Sequence, residues 1–129
     1  MSSILLEVVK FVHLLIDIAV STYIFIFKSV YDIYYASFIL LQTIHWALLK
    51  NECIFTYIEK RIIDPTYELG SNIKYQPHAE TYHNKITVTL KAILVLSTLL
   101  IIIYRSKNIL VKIIAGLAIL FWVYLTYFY

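Results

Sequence analysis

HWALLKNECIFTYIEKRIIDPTYELG, residues 45–70, is the stretch in which a long apolar run gives way to the most chemically versatile side chains of the chain. It holds His45, Trp46, Glu52, the only cysteine (Cys53), Thr56, Glu59 and a break at Asp64 and Pro65. A residue that precedes proline is steered out of the helical region, so a helix over 51–63 ends there. Within that helix Ile54, Phe55, Ile58 and Ile62 recur at helical spacing, while Glu52, Thr56, Glu59 and Lys60 take the opposite side. The pattern fits an amphipathic helix lying at a membrane interface, or a continuation of the preceding helix beyond the bilayer.

Outward from this stretch the chain is apolar in both directions. Of 129 residues 61% are hydrophobic and 15% charged, a balance that a soluble domain of this size has too little interior to hide. Two glycines and two prolines are too few for the turns of a strand-rich barrel, so long helices in a bilayer are expected. A single integral membrane domain over residues 1–129 follows. The net charge of +3 sits mostly at the ends of apolar runs, which suits lipid headgroups and not nucleic acid. One cysteine excludes an internal disulfide. The first apolar run carries Asp17 at its middle and no small-residue cleavage site, so it is expected to stay in the mature protein.

Four spans are expected at about residues 4–27, 30–49, 86–104 and 109–129, arranged as two helical hairpins joined by an extramembrane loop over 50–85. The fold class is therefore an all-α, four-span transmembrane bundle with one interfacial amphipathic helix. The first span is unusually polar, with Glu7, Lys10, His13, Asp17 and Ser21 recurring every three or four residues along one face. A tight turn near Ser29 would bring residues whose numbers sum to about 58 to the same depth. His13 then faces His45, Asp17 faces Gln42, and Glu7 and Lys10 come level with Glu52 and Lys50, giving an intramembrane network of Glu7, Lys10, His13, Asp17, Gln42 and His45. In the loop, His78 and His83 are expected to be exposed, and Lys91 at the start of the third span to snorkel toward the loop. Ala115, Gly116 and Ala118 offer a small-residue patch to a neighbouring helix, and FWVYLTYFY at 121–129 is an aromatic belt. The second half lacks the polar stripe, so transporter-like inverted symmetry is not expected. Lys50, Lys60, Arg61, Lys74 and Lys85 outnumber Lys28, Arg105 and Lys107, which favours both termini and the central loop on the cytoplasmic side of a multi-pass protein.

Cys53, Thr56 and Glu59, spaced as C-x-x-T-x-x-E after His45 and Trp46, resemble the signature of an uncharacterised bacterial family of small four-span membrane proteins. In that family the motif reads C-P-L-T-x-x-E, and here Ile54 replaces its proline. The likeness covers roughly residues 13–67; it implies the four-helix fold and a role for Cys53, Thr56 and Glu59, and no reaction. Richness in Ile, Tyr and Lys also looks like the product of an AT-rich genome such as that of a large DNA virus.

Several functional readings remain open at this stage. A transition-metal site built from His13, His45 and Glu52, with Asp17 or Cys53 nearby, has acceptable ligand chemistry but no compact ligand motif. Against it stands a hydrogen-bonded network that only pairs two helices, and beside it a proton path along His13 and Asp17. Cys53 is a candidate nucleophile with Lys50 and His45 near, or an inert or lipidated thiol. The expected function is that of a structural or assembly component of a membrane complex, in contact with the lipid bilayer, other membrane proteins or further copies of itself. The alternative is a membrane-embedded metal-dependent enzyme or ion transporter using His13, Asp17, His45, Glu52 and Cys53.

Overall fold

A computed structural model describes residues 2–77 and 85–128, and among them every regular element is helical. Helix α1 (Ser2–Ile26) leads through a short 3-10 turn (Ser29–Tyr31) into α2 (Asp32–Leu48). Then come α3 (Ile54–Ile63), α4 (Lys85–Arg105) and α5 (Ile109–Tyr127). Helices α1 to α4 contain neither glycine nor proline, so nothing in their sequences interrupts them. Asn108 starts α5 by accepting the Leu110 N–H at 2.9 Å, and Asp64 ends α3 ahead of Pro65 by accepting both the N–H and the hydroxyl of Thr66.

The bundle is not two hairpins laid side by side. Helix α5 packs along both α2 and α4, while α1 lies against α4 and α3 and forms no long seam with α2. Ile39, Val95, Leu99, Ile102, Ala115 and Ala118 are completely buried at the centre, and the two alanines allow the close approach of α5 to its neighbours. Near the short turn α1 and α2 do meet in the expected register. Tyr23 and Tyr35 stack at 4.3 Å between ring centroids, and the Tyr35 hydroxyl donates to the Val20 carbonyl at 2.8 Å. Farther from the turn the two helices part, and α3 with the following loop fills the opening.

Helices α4 and α5 are each long and apolar enough to cross a membrane. Helix α2 has 17 residues, a rise of about 25 Å against the roughly 30 Å of a hydrocarbon core. Helix α1 is longer, at 25 residues, but carries Glu7, Lys10 and Asp17. Around all four long helices large apolar side chains stand exposed, among them Leu5 and Phe11 on α1, Phe38 and Leu41 on α2, Ile93 and Leu100 on α4, and Leu117 and Leu120 on α5.

Candidate functional site

The segment from Lys50 onward is held by a buried ion pair. Lys50 and Asn51 both adopt left-handed backbone, with φ of 56° and 62°, which stops α2 and reverses the chain. Glu52 then turns inward, where its carboxylate accepts from the Lys60 ammonium at 2.8 Å, the Tyr67 hydroxyl at 2.9 Å and the Gly70 N–H at 2.8 Å. Lys60 in turn donates to Tyr67 and to the Asn72 carbonyl and lies 4.9 Å above the Tyr67 ring. Both charges are about 97% buried, and every one of these partners lies in the loop or α3. A buried carboxylate and ammonium so completely matched act as the frame of the loop.

Helix α3 is consequently turned opposite to a helix of a soluble protein. Its polar residues Thr56, Glu59 and Lys60 face the protein and are buried, while Ile54, Ile58 and Ile63 are exposed. The sidedness read from the sequence holds, and the apolar side points away from the bundle. His45 ties the end of α2 to the start of α3, its Nε2 accepting the Ile54 N–H at 3.0 Å.

This frame sets Cys53 at the position that caps the first turn of α3, with extended backbone at φ −72° and ψ 139°. Across from it, on α1, His13 is buried with its Nδ1 3.3 Å from Glu59 Oε1 and its ring within hydrogen-bonding reach of the Cys53 thiol. The Glu59 carboxyl is completely buried, and the Phe55 ring stacks obliquely on His13 at 5.6 Å. Burial by itself would keep Cys53 protonated. His13 beside it and the Phe55 and Thr56 N–H groups at the helix start outweigh that and hold the thiol below its ordinary range. A thiol, an imidazole and a carboxyl arranged in that order are the elements of thiolate nucleophile chemistry.

His13 and Cys53 border an open cavity of about 470 Å³ lined by residues of α1 to α5 and the loop, with Glu59 behind His13. Its lining is mixed. Leu14, Ile18, Leu90 and Leu94 are interspersed with Asp17, Thr56, Gln76 and Lys91, and Trp46 and Trp122 pack together at 5.1 Å. Asp17 is bound to Lys91 at 2.8 Å across the gap between α1 and α4. Among the described residues, Gln42 Oε1 and Trp122 Nε1 on the cavity residues are buried with no hydrogen-bond partner.

The arrangement gives several of the residues singled out in the sequence partners other than those expected. His13, His45 and Glu52 contact Glu59, the Ile54 N–H and Lys60 respectively. Among the described residues no group of three His, Cys, Asp or Glu side chains is placed to hold a metal ion. His13 pairs with α3 instead of His45 because α1 diverges from α2. Asp17 and Gln42 do border the same cavity, yet the ion-pair partner of Asp17 is Lys91, which therefore does not snorkel toward the loop. Glu7 and Lys10 pair with each other, at 3.6 Å, on α1. Ala115 and Ala118 are consumed within the bundle and present no face to a partner. His78 and His83 lie outside the described residues.

Two features escaped the sequence reading. The opposite end of the bundle is closed by Asp32, which is buried and accepts from the Tyr23 hydroxyl and, in a two-pronged contact, from Arg105 at 2.7 and 2.5 Å. These residues lie 73 positions apart and only the packing of α2 on the α4–α5 pair brings them together. The meeting of His13 with Glu59, 46 positions apart, was hidden for the same reason, although C-x-x-T-x-x-E had marked Cys53, Thr56 and Glu59 as one helical face. No known protein family, curated protein or solved structure matches this chain.

Proposed function

We propose that the chain is a four-span integral membrane protein whose loop-end cavity binds an amphipathic, lipid-like ligand. The observation that carries this reading is the mixed lining of the cavity, in which Leu14, Ile18, Leu90 and Leu94 stand beside Cys53, Thr56 and Gln76. Such a lining fits a molecule with an acyl chain and a polar head. Exposed apolar side chains on α1 and α2, as well as on α4 and α5, which are long and apolar enough to cross a membrane, support four membrane-embedded helices, since water would leave a belt of that size uncovered. Helix α3, with its isoleucines outward, lies in the headgroup layer under this reading, and the termini and loop share the cytoplasmic face. Asp17 and Lys91, closely matched, serve to hold α1 on α4 beside the ligand.

The chain carries two tryptophans, Trp46 and Trp122, and both line the cavity. A brominated long-chain fatty acid added to the reconstituted protein should quench their fluorescence saturably, and Ser21→Phe, which fills the cavity from α1, should abolish the saturable part. Equal quenching in both proteins would defeat the ligand reading. A second reading, an assembly component of a membrane complex, rests on the same exposed apolar belt packing against other proteins. Co-purification of a stoichiometric partner from native membranes, with no ligand in the cavity, would favour it.

A further inference from the structure

We infer that Cys53 is an acyl-accepting nucleophile for long-chain acyl esters or thioesters, with His13 as its proton carrier and Glu59 as the residue that positions His13. The inference rests on the amphipathic ligand proposed above and adds a reaction to it.

Four independent features of the site converge on this chemistry. Cys53 caps the start of α3, where the helix presents its N–H groups to a developing negative charge on sulfur. His13 comes from a different helix and reaches both Cys53 and Glu59. Cys53 and His13 also open on the cavity whose lining includes the apolar Leu14, Ile18, Leu90 and Leu94. Lastly, Trp122, only 4% exposed, borders that cavity with its indole N–H lacking an acceptor among the described residues, as does the Gln42 carbonyl lacking a donor. An ester-bearing ligand supplies the acceptor, and a hydroxyl on its head the donor.

In the reaction the Cys53 thiol gives its proton to His13 and the sulfur attacks the acyl carbonyl carbon. A carbon–sulfur bond forms, the bond from that carbon to the leaving oxygen or sulfur breaks, and the leaving group departs with the electron pair and takes the proton from His13. The product is an acyl thioester on Cys53 and a free alcohol or thiol. Water, or the hydroxyl of a second lipid, then attacks the thioester as His13 removes its proton, and that proton returns to the Cys53 sulfur as the acid or new ester leaves. Atoms and charge balance with no oxidant or metal. Glu59 holds the imidazole in orientation, as a carboxylate does behind a catalytic histidine.

The test uses the full chain in vesicles of neutral phospholipid, with p-nitrophenyl decanoate and p-nitrophenyl acetate as probes. The expected result is a single decanoyl group on Cys53, removable by hydroxylamine and detected by intact mass. It should form at least tenfold faster than the acetyl group and faster than on Ile54→Cys in a Cys53→Ala background. His13→Gln should slow labelling by roughly a hundredfold or more, the range of general acid–base catalysis. Glu59→Gln should slow it less and displace the pH profile, which a residue needed only for folding would not do. Helical content by circular dichroism accompanies each variant, and the chain-length comparison needs no variant at all. If the unreactive brominated fatty acid binds but Cys53 is acylated no faster than Cys at position 54, the acyl-transfer inference is wrong and the ligand reading survives. Absence of saturable quenching removes the ligand reading itself. Acetyl transfer as fast as decanoyl transfer overturns the long-chain substrate class.

Discussion

The two ends of the bundle bury the same kinds of groups and use them differently. At the short-turn end Asp32 is enclosed by Tyr23 and a two-pronged Arg105, and its two oxygens are engaged within the protein. At the loop end His13 contacts both Glu59 and Cys53, but His13 and Cys53 stand on the wall of a cavity. Glu52 and Lys60, the sequence neighbours of Cys53 and Glu59, form a buried ion pair like that of Asp32 and Arg105. A closed cluster specifies how helices meet, whereas a cluster bordering empty space keeps a face on which chemistry can happen. The contrast predicts that the two ends respond separately to mutation.

The largest effect is expected at the closed end. Arg105→Ala leaves the Asp32 carboxylate, 3% exposed, without its counter-charge, and loss of one partner of a buried pair costs about 3–5 kcal/mol. Thermal unfolding in detergent should show this drop, while the alkylation rate of Cys53 in the surviving folded fraction stays as in the wild type. Equal damage to stability and to Cys53 reactivity would mean that the ends are coupled through α4, and the comparison would fail.

Next in size is Gly70→Ala. Gly70 has φ of +80°, and a Cβ there would stand 2.9 Å from the Lys50 Cβ, so both backbone strain and a clash oppose the change. A loss of about 1–3 kcal/mol is expected. Lys50→Gly removes the clash and also relieves the left-handed backbone at Lys50, so it is measured alone as well as with Gly70→Ala; a smaller loss from Gly70→Ala in the Lys50→Gly background isolates the clash from the strain at Gly70. Because the Gly70 N–H binds Glu52, this variant should also loosen the frame under Cys53 and broaden its reactivity.

How much of this was legible in the sequence follows from the range of the interactions. The helices and their ends were readable because they depend on neighbours a few residues apart, as with Pro65 closing α3 and the alternation that turns Thr56 and Glu59 to one side. The Tyr23 and Tyr35 contact was readable too, since a tight turn fixes register close to itself. Twelve or more residues from the turn that leverage is lost. Whether α1 follows α2 or swings onto α4 depends on which helix fits the groove, and α5, with Ala115 and Ala118, fits α2 more closely than α1 can. Hence His13 was matched with His45 when its partner is Glu59, and Asp17 with Gln42 when its ion-pair partner is Lys91. The motif Cys53, Thr56 and Glu59 was visible as a local pattern; that a histidine from α1 completes it was not.

A third prediction sharpens the open end. With its thiol held below the ordinary cysteine range, Cys53 should react with iodoacetamide at a pH where a free thiol is largely protonated, and the rate should decline as pH falls through the lowered value. Removing the imidazole in His13→Ala leaves burial, which favours the thiol, less opposed. The midpoint should then move up, and the rate near neutral pH should fall on the order of tenfold for each pH unit of that movement. An unchanged profile in His13→Ala would show that the start of α3 alone activates Cys53.

The smallest effect is expected where neither pattern applies. Glu7 and Lys10 belong to the polar stripe of α1 by spacing, but they lie beyond both clusters, 3.6 Å apart, with the Glu7 side chain 72% exposed. An exposed pair of this kind contributes about 0–1 kcal/mol, so Glu7→Gln should leave both the melting temperature and Cys53 alkylation within error of the wild type. The variant tests whether the stripe acts as a unit. If the stripe were one conducting or signalling path, neutralising its first member would alter the behaviour of His13 and Asp17 farther along, since charges on one helical face in a poorly screened environment feel one another. If the groups act only through the contacts they make, Glu7 is silent because its side chain is exposed and its ion-pair partner among the described residues is Lys10, and the functional length of α1 begins at His13. A measurable shift in the pH profile of Cys53 on replacing Glu7 would favour the continuous path and require that the open end of the bundle extend to the first turns of α1.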